Sequence, residues 1–316
     1  KWAEGDGTPD QQDGTHATYH YELRETLKNI GFQVEASGRY ERLFEDMDFD
    51  FLFTLFNRGG FTNSEMLAPL LATYHGKPFL GASPIIRGLG DDKHLMKLAT
   101  RSRGITTPDW QVYRRGCLLV DAPTFPWKRL IAKPNASSAS WGIMASDNWA
   151  DVKAHIEYLH REGHDAIVEN FVDGYELAIP IIGARGPLVL PIVRFHVDDE
   201  MAIRSYEQKR HLTANDEVGL EICQNELLIE RLHKIAHDLL PEIWPFDYGR
   251  IEVTYDEKTD TINFIEINLS CNLWSKKALP YSASEGAGIE YPDLVETILC
   301  HSMLRQGVIT EDDLEA

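Results

Sequence analysis

The stretch FIEINLSCNLWSKK (264–277) ends a strand-like run in a carboxylate and an amide, just before a polar loop that carries a pair of lysines. In an extended chain successive side chains point to opposite faces. Simple alternation therefore assigns Phe264, Glu266 and Asn268 to one face and Ile265 and Ile267 to the other. A second strand-like run, RIEVTY (250–255), lies upstream across the turn at 256–260 and carries Glu252. If the two runs close as a hairpin, Glu252, Glu266 and Asn268 bring their oxygens to one face. Two carboxylates and an amide oxygen suit Mg²⁺, which takes oxygen ligands and is often shared with substrate phosphates. The competing reading is ordinary exposed carboxylates on a strand, and the spacing alone does not decide between them.

Isolated cations stand at the ends of other elements. Lys93 follows two aspartates at a helix start. Lys133 closes the apolar run LIAK (130–133) just before the small-residue loop NASSAS (135–140). Lys209 sits in YEQKR (206–210), and Arg250 opens the hairpin. A triphosphate needs such groups, because its charge must be neutralised before a nucleophile can attack phosphorus. Each cation alone reads as a surface residue. Other nucleotide and nucleophile signatures are missing: the chain has no G-x-x-x-x-G-K-[ST], no G-x-G-x-x-G after a strand and no G-x-S-x-G. His155, His160 and His164 have helical spacing but no HExxH pattern or cysteine partner, so they read as a solvated helix face, not a zinc site.

The elements that must position these residues alternate. Helical patterns cover 16–29, 65–75, 91–104, 149–162, 225–239 and 291–303. Strand-like runs cover 32–35, 48–56, 78–81, 130–134, 166–169, 177–182, 188–193, 250–255 and 262–268. Strand–helix alternation in the first third predicts a parallel α/β sheet there. With 316 residues the chain can build two or three lobes. Its net charge of −19 argues against binding a nucleic-acid backbone, and no apolar run is long enough to cross a bilayer. Four scattered cysteines without a CxxC pair predict reduced thiols and a cytoplasmic protein. The chain opens on Lys1, not Met, so either something upstream has been removed or the sequence starts inside its gene.

The order of the landmarks is similar to that of the D-alanine–D-alanine ligase branch of the ATP-grasp superfamily. The matching segments are KPFLGASPIIRGLGDDKHLMKLATRSRGITTPDW (77–110), LIAKPNASSASWGIM (130–144), AIVENFVDGYEL (166–177), LPIVRF (190–195), SYEQK (205–209) and GRIEV with FIEINLS (249–270). The resemblance implies an ATP-grasp fold of the α/β class with α+β lobes. An N-terminal parallel α/β domain (1–87) would precede a central lobe (88–176) and a C-terminal lobe (177–316), which clamp ATP between them. It implies that Lys93 and Lys133 hold the α- and β-phosphates, and that Glu169, with the backbone of Phe171 and Val172, lines adenine. Glu176 would take the ribose and Lys209 would reach the phosphates from a mobile loop. Arg250 would stabilise the transferring phosphate, and Glu252, Glu266 and Asn268 would hold Mg²⁺, as two ions, with Mn²⁺ as a substitute. Where the family's first metal ligand is an aspartate, this chain has Glu252. Homodimers are common in the family, and nothing in this sequence shows one.

The departures from the family pattern cluster in its amino-acid subsites. The ammonium-anchoring glutamate has no counterpart in the 10–15 loop, where Asp13 is the nearest carboxylate, and no hydrophobic first strand precedes it. Phe56 and Phe61 stand where a histidine and an acidic residue are expected, flanking Arg58. The serine of the small-residue loop lines up near Ala139, between Ser138 and Ser140. Arg210 replaces the mobile-loop tyrosine. The loop after the metal asparagine is SCNL (270–273), with Asn272 inside it, and Lys277 lines up near the serine that binds the second D-alanine. Small-ammonium anchors are lost while aromatic and cationic groups appear, and a buried ammonium needs a paired acceptor. The expected activity is therefore an ATP-dependent carboxylate–amine ligase that works through an acyl phosphate on a small-molecule acid and amine other than two D-alanines. The alternatives are a genuine D-alanine–D-alanine ligase and a non-catalytic ATP-binding subunit.

Overall fold

The computed structural model describes residues 5–8, 16–45, 48–55, 66–117, 121–137, 141–183, 186–196 and 219–314. The chain enters α1 (His16–Asn29), where the helical spacing of Tyr19, Leu23 and Leu27 buries all three. Next come α2 (Leu67–Tyr74), α3 (Pro84–Asp91) and α4 (Lys93–Ser102). The helix expected over 91–104 is α4, and α3 is a further helix that the sequence pattern did not mark. Asp92 is extended at φ −85° and ψ 103°, which breaks the helix, and its carboxylate caps α4 by accepting from the Leu95 amide.

The expected N-terminal parallel sheet is absent among the described residues. One parallel bridge, Leu52 to Phe79, stands in its place. The Leu52 amide donates to the Pro78 carbonyl at 2.9 Å and the Leu80 amide to the Leu52 carbonyl at 2.8 Å. Pro78 has no N–H to extend the ladder, and Gly81 turns the chain at φ +122°. Residues 32–39 form no strand either. Phe51, Phe53 and Leu55 pack instead on a cluster built from α1, the last helix and residues 271–283.

The rest of the chain forms two antiparallel sheets. The smaller runs β1–β4–β2–β3 and comprises β1 (Trp110–Tyr113), β2 (Leu130–Pro134), β3 (Met144–Ser146) and β4 (Ala166–Asn170). Helix α5 (Trp149–Arg161) covers it, burying Val152, Ile156 and Leu159 against Leu130, Ala132, Ala166 and Val168. The three histidines of this region are not a solvated face. His155 Nε2 contacts the Gly142 carbonyl at 2.7 Å, His160 Nε2 contacts the Tyr113 carbonyl at 3.0 Å, and the His164 ring packs on Trp141. Backbone carbonyls left by the turns outcompete water for the first two rings.

The larger sheet runs β10–β9–β5–β7–β8, with β6 (Leu188–Val189) beside β5 (Tyr175–Ile182). Its other members are β7 (Val193–Phe195), β8 (Leu220–Ile222), β9 (Tyr248–Asp256) and β10 (Thr261–Asn268). Helix α6 (Glu226–Ile243) packs Leu228, Leu232, Ala236, Leu239 and Ile243 on one face of this sheet. The short α7 (Ala278–Tyr281) and then α8 (Tyr291–Arg305) complete the chain. Among the described residues no helix is long and apolar enough to cross a membrane. All four cysteines are unpaired.

Register decides what each face of the large sheet carries. Leu177, Ile179, Ile251, Val253, Phe264 and Ile267 belong to the core under α6. The alternate positions pair Glu176 with Thr254, Ala178 with Glu252 and Pro180 with Arg250 across β5 and β9. Across β9 and β10, Glu266 sits opposite Glu252 and Asn268 opposite Arg250, while Phe264 sits opposite Val253. The register shifts between Phe264 and Glu266, so Ile265 is one residue more than regular pairing needs. This corrects the alternation reading. Phe264 shares the core face with Val253, not the polar face with Glu266, and it is fully buried. Its backbone is bonded from outside the sheet: its amide donates to the Thr106 carbonyl, and its carbonyl accepts from the Thr107 hydroxyl. The linker between α4 and β1 thereby covers the β10 edge.

Candidate active site

The polar face of the large sheet holds Glu176, Arg250, Glu252, Glu266 and Asn268. Directly opposed residues of an antiparallel pair project to the same side with Cβ atoms about 5 Å apart. Arg250 Nε donates to Glu252 Oε1 at 2.6 Å, and Asn268 Nδ2 donates to Glu266 Oε1 at 3.3 Å. Burial works against the Arg250 charge, but Glu252, Cys271 and Glu266 together outweigh it and raise the pKa of the guanidinium. Glu252 is buried, whereas the Glu266 side chain keeps 23% of its exposure.

A lysine reaches this face from α4. Lys93, in the first turn of α4, lies 3.4 Å from Glu266 Oε2 and donates to the Ser137 carbonyl at 2.9 Å. The start of α4 is itself bonded to the segment after Lys133: the Lys93 amide donates to the Asn135 carbonyl, and the His94 amide to Asn135 Oδ1. Asn135, two residues after Lys133, thus ties the end of β2 to the start of α4.

Glu169 on β4 sits among cations. Lys133 Nζ lies 3.0 Å from its Oε1 and Lys97 Nζ lies 3.1 Å from its Oε2. All three side chains are at least nineteen-twentieths buried. Burial pushes the Glu169 carboxyl up, but Lys133 and Lys97 together outweigh it and hold the pKa below the ordinary value. Beyond Glu169, the Phe171 amide donates to the Arg129 carbonyl at 3.0 Å. Glu176, on the polar face of β5, is half-buried.

The loop after β10 is drawn toward α1. Asn272 Oδ1 accepts from the Trp274 amide at 2.8 Å, closing a turn, and Lys277 stands immediately before α7. Ser275 Oγ donates to Glu22 on α1 at 2.7 Å, and Tyr19 Oη accepts from the Leu273 amide. Four predicted site residues, Arg58, Ser140, Lys209 and Arg210, lie outside the described residues, as do Asp13, Phe56 and Phe61.

Sequence reasoning missed Lys97 and Glu22. Lys97 had a readable signal, since it stands four residues after Lys93 and so shares its helical face. Glu22 had none, because its partner Ser275 is 253 residues away. Among the described residues no group of three His, Cys, Asp or Glu side chains is arranged to hold a metal. The donor set is two carboxylates and an amide, and those oxygens fit Mg²⁺.

Residues 104–300 match the family described as D-ala D-ala ligase C-terminus. The chain belongs to this family. A D-alanine–D-alanine ligase of a Marinomonas species is 26% identical over 287 residues, 87% of this chain and 87% of that protein. An uncharacterised protein, y4sG of Sinorhizobium fredii, is 27% identical over 233 residues, 73% of this chain and 68% of its own length. Among solved structures, the D-alanine–D-alanine ligase of Bacillus anthracis superposes with a TM-score of 0.73 at 20% identity, covering 92% of this chain and 93% of that one. The same ligase complexed with ATP gives 0.64 at 20% identity, covering 83% and 81%. These likenesses establish the mixed α/β fold of the ligase family.

Proposed function

We propose that the protein is an ATP-dependent ligase that joins a carboxylate to an amine through an acyl phosphate. The observation that carries this reading is the cross-strand quartet Arg250, Glu252, Glu266 and Asn268, joined to Lys93 through Glu266. The ATP complex of the Bacillus anthracis ligase supports ATP as the nucleotide. A substrate carboxylate oxygen attacks the γ-phosphorus and ADP departs. The amine then attacks the acyl carbon, loses a proton and expels inorganic phosphate. Lys93 and Lys133 neutralise phosphate charge, and Arg250 stabilises the oxyanions of both steps. Mg²⁺ would be held by Glu252, Glu266 and Asn268, and when bound it supplies further neutralisation of the phosphates.

The substrates on this reading are not two D-alanines. Lys277 at the start of α7 offers a cation where the family has a serine, and Arg210 and Arg58 add others in the sequence. A carboxylate-bearing substrate suits these charges. The test is phosphate release with ATP, Mg²⁺ and pooled carboxylates and amines, followed by mass spectrometry of the products. Amine-dependent release with a new amide mass supports the ligase. Turnover of D-alanine alone that equals or exceeds every other pair defeats the substrate assignment. ATP binding without any amine-dependent release leaves the non-catalytic subunit as the better account.

A further inference from the structure

Lys97 has no role in the ligase reaction as proposed, yet it is the most completely buried cation among the described residues, with 0% side-chain exposure. It lies 3.1 Å from Glu169 and donates to the Thr107 hydroxyl at 2.7 Å, which in turn donates to the Phe264 carbonyl at 2.9 Å. Its ammonium also sits 5.7 Å from the centre of the Trp110 ring. One lysine therefore joins α4, β1 and β4 of the smaller sheet region to the bulged edge of β10.

Charge counting gives this position a purpose. Lys97, Glu169 and Lys133 together carry one net positive charge. Without Lys97, Lys133 and Glu169 would form a neutral pair, and Lys133 would be spent on its own carboxylate. In a dry site the difference between a neutral pair and a net cation is felt strongly by a nearby anion.

We propose that Lys97 is a positioning residue for the nucleotide: by engaging Glu169, it leaves Lys133 charged in effect and available to phosphate. This rests on the ATP-ligase reading. The groups that face Lys97 are Glu169 on β4, Lys133 on β2, Arg101 on α4 and the neutral Thr107 and Trp110. Burial first of all, with lesser contributions from Lys133 and Arg101, draws its pKa down to about 8 against the opposing pull of Glu169. The triad thus loses its surplus charge as pH rises through that value.

Calorimetric titration of ATP and of adenosine into wild type, Lys97→Met and Lys97→Arg tests the proposal. Lys97→Met should weaken ATP about tenfold, leave adenosine unchanged, and be rescued by Lys97→Arg. Equal ATP affinity in wild type and Lys97→Met overturns the inference while sparing the ligase reading. Parallel loss of ATP and adenosine also overturns it, because Lys97 would then be a structural pillar. Failure of wild type to bind ATP overturns both. If Lys97→Met does not fold, a pH series decides. Wild-type ATP affinity should fall between pH 7 and pH 9 while that of Lys97→Arg stays level, and level behaviour in both overturns the inference.

Discussion

Glu169 and Glu266 are both strand carboxylates paired with lysines, but they live under different physical conditions. Glu169 is in a dry interior with a lysine on each oxygen. Glu266 stays partly open, with one lysine at 3.4 Å and an amide donor at 3.3 Å. A buried carboxylate must be compensated by its own protein, since a lone buried charge costs several kcal/mol. A half-open carboxylate can be held loosely because water, or an arriving cation, completes it. The same residue type is thus fully enclosed in one sheet and left half-open in the other.

Substitution should separate the two. Glu169→Gln strands two buried lysines, and thermal or denaturant unfolding should show a loss of about 3–5 kcal/mol. A wild-type melting curve would mean that the lysines find other partners. Glu266→Gln should instead leave stability within about 1 kcal/mol and cut amine-dependent phosphate release by about a hundredfold or more. A large stability loss there would erase the contrast. Thr107→Val removes a hydroxyl shared by Lys97 and the Phe264 carbonyl and should cost about 1–2 kcal/mol in urea unfolding. Acid titration gives the mildest contrast. The folded-state pKa of Glu169 is depressed, so its stabilisation is complete above the ordinary glutamate value of 4.5 and is lost as pH falls through the lowered one. Glu169→Gln should flatten that acid limb of the stability curve, and an unchanged limb would mean that the buried pair does not set it.

Much of this arrangement was legible in the sequence. The hairpin, its two carboxylates, its arginine and the lysine before the small-residue loop all come from short-range patterns of period two and from turn chemistry. The faces of the hairpin were half legible. Counting by twos pairs Phe264 with Glu266, and only the bulge at Ile265 separates them. A bulge leaves no clear mark in a run such as FIEIN, because its apolar residues are all good strand formers. The N-terminal region misled for a related reason. Runs such as 48–56 are apolar enough for a strand, but a sheet needs partners, and among the described residues of this run only Leu52 finds one, at Phe79. Lys97 is a case of a signal present but unweighed, while the Glu22–Ser275 contact is a product of tertiary folding alone.

Asp247 ties distant parts of the chain to one buried group. It accepts from the Gly81 amide at 2.6 Å, from Ser302 Oγ at 2.7 Å and from Arg305 Nε at 2.9 Å, while Gln306 exchanges hydrogen bonds with the backbone of Phe79. Residues near 80 are therefore locked by residues near 305. Residues near 80 are made long before these partners, so their contacts are set by the finished fold and not by local sequence. The single strand bridge among the described residues of that region gives it little else to hold its shape. Truncation before Arg305 would remove hydrogen-bond partners of Phe79 and Gly81, and so would loosen the segment near residue 80 along with the end of α8.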